Sequence, residues 1–404
     1  MTRAKQAVPF VTSAHIRNFK SMAAVEVRFS PLTVLVGLNA SGKSNFLDAL
    51  RFVTHALTSG LSQAVAERGG VRSVWHQPPG GSPPGELTVD LELQIGTGSA
   101  ARRAHYGFTL RAERNDHDAW TPVVAWEWCH IGAEGEFFQV EYGQVIAGPE
   151  HLQGQVADPY ELLLPAAARW MGFREVYVSL RAMSFHLLSP PVMRRVETRA
   201  GLPRLGPAGE RLGEVLGELS RKSPEVKSRI DDYIAAVVPG ALGVDEYRLP
   251  EYSTVQLRMQ DPETSGIRHF GPESISDGTL SVAGLLAALF QPGTLAGRIP
   301  LVGVEEPELG LHPTAAGALF DALTEAAEHV QVIAATQSGD LLDREDFNVD
   351  WARVVQMRDG VTTIGEVDDG SRQVVERGLA TLGDLMRSNQ LTPRPTPSNV
   401  PGPS

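Results

Sequence analysis

Residues Gly37 to Ser44 read GLNASGKS, which satisfies the pattern G-x-x-x-x-G-K-[ST]. A loop of this kind binds phosphate. Its glycines let backbone N–H groups approach an anion closely, and the N-terminus of a following helix adds a partial positive charge. A lysine placed as Lys43 is reaches the β and γ phosphates of a nucleotide, and a hydroxyl placed as Ser44 is ligates Mg2+. Gly37, Asn39, Ala40, Ser41, Gly42 and Asn45 are expected to complete the cradle.

A second motif supplies carboxylates. LVGVEEPELGLHP, Leu301 to Pro313, is an apolar run that ends in two adjacent glutamates. Glu305 is expected to hold Mg2+, and Glu306 to orient an attacking water. Alone, two acids at a strand tip describe a surface turn almost as well. Paired with the phosphate loop, they point to ATP and Mg2+ as ligands and to ATP hydrolysis as the reaction.

The elements around the motifs have the right character to position them. Leu32–Val36 is a continuous apolar run ending in glycine, as a buried strand would. After the loop, Phe46, Leu50, Val53 and Leu57 recur at helical spacing. Residues His15–Phe19 and Val25–Phe29 alternate as short strands do. Glu86–Ile95, Ala104–Arg111, Val123–Ile131 and Glu136–Tyr142 read as strands of an antiparallel sheet, with a surface turn at Gly80–Gly85. Further on, Leu301–Val304 and Val330–Ala334 are buried strands around a helix over about 314–328, which is an α/β layer. Val354–Met357 and Thr362–Ile364 form a closing hairpin around Asp359 and Gly360, and Val374–Met386 a last helix.

Between these halves the pattern changes. Leu212, Val215, Leu216 and Leu219, then Val226, Ile230, Tyr233, Ile234 and Val237, mark two amphipathic helices. This insert is basic, with Arg194, Arg195, Arg199, Arg204, Arg211, Arg221, Lys222, Lys227 and Arg229 interleaved with glutamates. It reads equally as a DNA-facing surface and as a solvated or protein-docking helix face. The expected division is an N-terminal lobe over 11–189, a helical insertion over 190–240, a C-terminal lobe over 241–390, and a disordered Pro-rich tail over 391–404.

Bulk properties narrow the class. The chain has 404 residues, 42% of them hydrophobic, and a net charge of -12. Such a balance excludes a protein coated in nucleic acid by bulk charge, so DNA contact would need a local basic patch. The single cysteine, Cys129, excludes an intrachain disulfide and suits a reducing cytoplasm. No apolar run reaches the roughly 18 residues that span a bilayer. Val282–Phe290, the most apolar window, reads as a buried helix.

A third motif makes the resemblance specific. SISDGTLSV, Ser274 to Val282, lies about 25 residues before the acidic pair and opens that apolar helix. It resembles the ABC signature in the form used by the RecF, structural-maintenance-of-chromosomes (SMC) and OLD (overcoming-lysogenization-defect) ATPases. IRNFKS, Ile16 to Ser21, resembles that group's first strand, EEPELGLHP its joined Walker B and D-loop, and AATQSGDLLD, Ala334 to Asp343, its switch strand. The resemblance covers about 11–57 and 270–345 and is weak between them. The chain resembles the stand-alone AAA ATPases of the ABC, OLD-like kind.

This resemblance implies an α/β P-loop NTPase of the ABC-ATPase type, with an antiparallel β subdomain and an inserted helical subdomain. Arg17, Asn18, Phe19 and Lys20 would contact the nucleotide. Two heads would form a homodimer sandwiching ATP, with Ser276, Asp277 and Gly278 touching the γ-phosphate held by the partner. The same SDGT suits a helix N-cap, and the two roles are compatible. Gln337 stands where many relatives carry a switch histidine; it donates a hydrogen bond but takes no positive charge, which implies slow or gated turnover. Glu305 replaces the aspartate of transporters and chromosome ATPases. The Q-loop has no evident counterpart, and His186 is either its substitute or a structural residue.

OLD nucleases continue into a TOPRIM domain, for which the about 60 residues after the switch leave no room. A nuclease or other effector would therefore be a separate protein. The expected function is an ATPase that drives or gates a DNA-linked process, in genome maintenance or anti-phage defence. The alternatives are a non-hydrolysing scaffold glued by ATP and a transporter's nucleotide-binding subunit.

Overall fold

The computed structural model describes residues 10–77, 85–96, 100–114, 118–132, 135–153, 157–199, 203–264 and 266–394. Most of the expected turn at Gly80–Gly85, and the tail beyond Arg394, lie outside these residues. Two compact units are formed: Met183–Phe347, and the segments of chain on either side of it.

The first unit opens with β1 (Val11–Phe19), β2 (Met22–Arg28), β3 (Leu32–Val36), α1 (Lys43–Ser59), α2 (Leu61–Ala66) and α3 (Val71–Val74). It continues with β4 (Leu87–Ile95), β5 (Arg102–Arg114), β6 (Trp120–Ile131), β7 (Phe137–Glu141), β8 (Gln144–Ala147), α4 (Leu164–Ala167) and α5 (Met171–Ala182). The second unit holds β9 (Ser184–His186), α6 (Pro190–Met193), β10 (Glu197–Thr198), α7 (Leu212–Lys222), α8 (Pro224–Val237), β11 (Ala241–Arg248), β12 (Tyr252–Gln260) and β13 (Ile267–Phe270). It ends with α9 (Asp277–Phe290), α10 (Pro292–Leu295), β14 (Leu301–Glu305), α11 (Ala316–Ala326) and β15 (Gln331–Thr336). The chain then returns to the first unit with β16 (Ala352–Arg358), β17 (Val361–Gly365), α12 (Asp369–Glu376) and α13 (Leu382–Arg387).

In the first unit, an antiparallel sheet runs in the order β2-β1-β4-β5-β6-β7-β8. In β4 alternate residues from Leu87 to Ile95 are buried, the period-two pattern of a sheet with one face on a core. α1 supplies much of that core: Phe52 lies 5.7 Å from Phe19 and 6.2 Å from Phe108, ring centre to ring centre. All five residues of β3 are buried, and β16 runs parallel to it, with Val354 beside Val36.

In the second unit, β14 lies between β9 and β15, all parallel. α9 is buried from Thr279 to Phe290. Contrary to the sequence reading, Asp277–Leu295 is long and apolar enough by composition to cross a membrane, but 78% of that window is buried in the protein. The expected insertion, 190–240, holds α6 and β10 besides its two amphipathic helices, and a sheet follows it. α7 and α8 accompany an antiparallel sheet in which β12 pairs with β10, β11 and β13. α7 approaches it so closely that a β-carbon on Gly213 would sit 2.3 Å from the Thr254 carbonyl oxygen.

Two expectations at the end of the chain are corrected. The last helix is two, because Gly378 adopts φ +64 after α12 and Thr381 begins α13 with a capping box to Asp384. Residues 391–394 are ordered, not part of a disordered tail: Leu391 is buried, Pro393 bridges Val367, and the Arg394 amide donates to the Glu366 carbonyl at 2.7 Å.

Candidate nucleotide site

β3 delivers the chain into the loop at Gly37, and α1 leaves it at Lys43. Both glycines are required by shape. A β-carbon on Gly37 would lie 2.3 Å from the Val355 carbonyl oxygen, and Gly42 has φ +106. The Lys43 ammonium turns inward and donates to the Gly37 carbonyl at 2.8 Å and the Leu38 carbonyl at 3.0 Å. Asn39, Ala40 and Ser44 are exposed around it, and Ala40 holds φ +60. The Ser41 hydroxyl is buried with no partner among the described residues. Beside the loop lies a cavity of about 340 Å3 whose walls include Asn39, Gln356, Met357, Met386 and Asn389. A glycine cradle, a lysine held within it and an orphaned hydroxyl at the head of a helix fit a phosphate chain with its Mg2+.

The first strand departs from expectation. Arg17 alone of its four expected contacts is exposed. The Asn18 side-chain amide donates to the Glu86 carbonyl at 2.7 Å. Phe19 is fully buried against Phe52, so its ring has no surface to offer a nucleotide. Lys20 sits 2.7 Å from the Asp48 carboxylate, which also binds Arg51 and Arg68. Burial alone would raise the Asp48 carboxyl; the hydrogen bonds and charges of Arg68 and Lys20 overcome it and hold that group well below the usual carboxylate range.

The carboxylates lie in the second unit. Glu305 ends β14 beside Ala335 of β15, and the Glu306 amide donates to the Ala335 carbonyl at 2.8 Å. Glu306 holds φ +44, a left-handed conformation that turns the chain sharply off the strand. Gln337 follows β15 directly and is half-buried.

Glu308 is a residue the sequence reading passed over. Its Oε1 accepts from the Thr336 hydroxyl at 2.5 Å, the Ser338 amide at 3.2 Å and the Gln337 amide at 3.3 Å. Oε2 is buried with no partner among the described residues. Burial raises the Glu308 carboxyl above its ordinary value, against those hydrogen bonds. The only sequence signal was its place inside EEPELGLHP.

The signature opens α9. Ser276 is the N-cap and accepts from the Thr279 amide at 3.2 Å. Ser276 and Asp277 are exposed. Arg194 pairs with Asp277 and donates to the Ile275 carbonyl at 2.8 Å, fixing the turn before the helix. Gly278 packs against the Gly310 carbonyl of the D-loop.

His186 is structural. It is 2% exposed in β9, with Nε2 2.8 Å from the Ser184 hydroxyl and Nδ1 3.0 Å from the Gly206 carbonyl. Burial pushes its imidazole down to about 4. The insert's cations are largely matched by acids: Arg211 with Glu214, Arg221 with Glu218 and Glu246, Lys222 with Glu218, Lys227 with Asp231 and Asp245, and Arg229 with Glu325. That leaves little free positive charge there for phosphates of DNA.

Residues 10–64 match the family described as "AAA ATPase domain", and residues 204–343 the one described as "AAA domain, putative AbiEii toxin, Type IV TA system". Two curated relatives, both the DNA replication and repair protein RecF from strains of Porphyromonas gingivalis, are 53% identical over 45 residues. That segment is 11% of this chain and only 12% of theirs. The solved structure of an SMC head bound to the C-winged helix domain of ScpA is similar in fold, with a TM-score of 0.55 at 15% identity, covering 90% of this chain and 100% of that one.

Fold and motifs together define a P-loop protein of the ABC-ATPase type. Within that class, the chain is similar to RecF over that short segment and to an SMC head in fold.

Proposed function

We propose that this chain binds and hydrolyses ATP, that two copies close on the nucleotide, and that the cycle drives or gates a DNA-linked process. The observation that supports the reading most is the phosphate loop, with Lys43 drawn onto the Gly37 and Leu38 carbonyls and Ser41 left with an orphaned buried hydroxyl. Lys43 exchanges those carbonyls for phosphate oxygens. Ser44 and Glu305 would hold Mg2+, which supplies positive charge against the phosphate oxygens. Glu306 orients the attacking water and takes its proton, and Gln337 donates a hydrogen bond to the γ-phosphate. Arg17, with the half-buried Asn18 and Lys20, would contact the nucleotide from the first strand.

Ser276, Asp277 and Gly278 stand at the N-terminus of α9, where the helix dipole favours an anion. The exposure of Ser276 and Asp277 supports contact with the γ-phosphate held by a second copy. The matched name of RecF supports DNA replication or repair as the setting, while anti-phage defence rests on the resemblance to the OLD-like ATPases. An effector, such as a nuclease, would be a separate protein. The buried free thiol of Cys129 suits the cytoplasm.

A non-hydrolysing scaffold is the second reading, favoured by Gln337 at the switch. ATP turnover and nucleotide-dependent mass, measured on wild type and Glu306→Gln, decide between them. The ATPase reading expects wild-type turnover, loss of turnover in the variant, and accumulation of the variant as an ATP-bound dimer. ATP binding and dimerisation without turnover in wild type would leave the scaffold. An unchanged mass with ATP in both proteins would remove the dimer.

A further inference from the structure

Thr362 lies in β17, far along the chain from the phosphate loop, and is fully buried. Its hydroxyl donates to the Ser41 carbonyl at 3.0 Å. A hydroxyl has one proton, so at its other contact, 2.8 Å from the Ser21 hydroxyl, Thr362 must accept. Ser21 therefore donates to Thr362, and it accepts in turn from the Asn45 side-chain amide at 2.7 Å. The backbone reinforces the contact, since the Thr362 amide donates to the Ser21 carbonyl at 2.8 Å. Every proton in this relay has one direction: Asn45 to Ser21, Ser21 to Thr362, Thr362 to Ser41.

Both ends of the relay fall on the loop–helix junction. Ser41 and Asn45 bracket Gly42, Lys43 and Ser44, the residues expected to meet phosphate and metal. The relay acts on one peptide plane in particular. In a trans peptide the carbonyl and the following N–H point in opposite directions. Thr362 holds the Ser41 carbonyl, so the Gly42 N–H points away from Thr362. The fit is tight as well: a β-carbon on Gly42 would lie 2.1 Å from the Thr362 hydroxyl oxygen and 2.7 Å from its methyl. Gly42 thus needs to be glycine for the sake of Thr362 as well as for its φ of +106.

We infer that Thr362, acting through Ser21 and Asn45, is a positioning residue that presets the Ser41–Gly42 peptide to receive the polyphosphate of a nucleotide. This rests on the nucleotide-binding reading above for its ligand, but not for its geometry. Asn45, expected to line the cradle itself, serves here by holding the cradle.

The test compares Thr362→Val, which keeps the shape and removes the hydroxyl, with Thr362→Ser, which keeps the hydroxyl. Two readouts are taken: amide hydrogen exchange of the segment 37–45 in the nucleotide-free protein, and the affinity for Mg-ATP with KM and kcat. Thr362→Val is expected to speed exchange in that segment and to weaken ATP binding about tenfold, the scale of one buried hydrogen bond. KM should move more than kcat, and Thr362→Ser should restore both readouts. Wild-type exchange and affinity in Thr362→Val, or a serine variant as impaired as the valine, would overturn the inference. Should Thr362→Val not fold, Ser21→Ala breaks the relay at its middle and is held to the same outcomes. A wild type that binds no ATP while exchange responds as expected sinks the functional reading and sustains the relay.

Discussion

A β-carbon added to Gly278 would lie 2.5 Å from the carbonyl oxygen of Gly310. The first turn of α9 and the D-loop are thus in backbone contact, and Gly310 reaches it with φ +79. The obstacle is main chain, which has no rotamer to escape into. Gly278→Ala must push the two segments apart, at a cost of about 1–3 kcal/mol. The expected variant melts at lower temperature and loses turnover, while the phosphate loop still binds ATP. Calorimetry and a turnover assay check it, and wild-type values in both would show that the contact yields freely.

Glu308 ties the D-loop to the switch through one oxygen. Glu308→Ala leaves the Thr336 hydroxyl and the Gln337 and Ser338 amides without that acceptor. A loss of about 1–3 kcal/mol in stability is expected. Turnover should fall at least as far as in Gln337→Ala, since Gln337 loses its anchor. Glu308→Gln retains an oxygen and is expected to keep most of both. If Glu308→Ala turns over as wild type does, the switch is held by something else.

Lys43 is the charge that both the free loop and the proposed bound state use. In Lys43→Met, ATP affinity should drop on the order of a hundredfold, as expected for a lost charge-assisted hydrogen bond. The Gly37 and Leu38 carbonyls lose their donor too, so exchange in the loop should quicken even without nucleotide. Titration with a fluorescent ATP analogue measures the first effect. Undiminished affinity would remove the loop from the nucleotide site.

What could be read from the sequence follows from how far each feature reaches along the chain. The phosphate loop, β3, α1 and the strands β4 to β7 announce themselves through local spacing, and the structure has them at or within a few residues of the expected bounds. The sheet that follows the helical insertion did not. Its strands carry Asp245, Glu246 and Arg258, which look like loop residues until Arg258 meets Asp245 across the pair and Asp231 from α8. Phe19 sits in a strand motif associated with nucleotide contact, but only the distant Phe52 determines that its ring turns to the core. Glu308 and Thr362 work through partners that no local pattern names. In each of these cases the missing information was a long-range contact.

Glu127 makes the stability of the first unit depend on pH. It is 1% exposed, and it accepts from the Tyr106 hydroxyl at 3.1 Å, the Leu164 amide at 3.0 Å and the Leu163 amide. Burial pushes its carboxyl up to about 7 from an ordinary 4.5, against those hydrogen bonds. A raised value means that the folded chain binds the proton more readily than the unfolded one. The stabilisation is therefore complete below about 4.5 and is lost as pH rises through about 7. Its size is on the order of 3 kcal/mol. Other groups act the opposite way, Asp48 among them, so the difference between wild type and Glu127→Gln isolates the effect. Urea unfolding at several pH values should show wild type gaining on the variant as pH falls from 8 to 4.5, because glutamine cannot titrate. A constant difference across that range would mean that the Glu127 carboxyl keeps the same charge throughout, with the amides of Leu163 and Leu164 sufficient to hold it ionised.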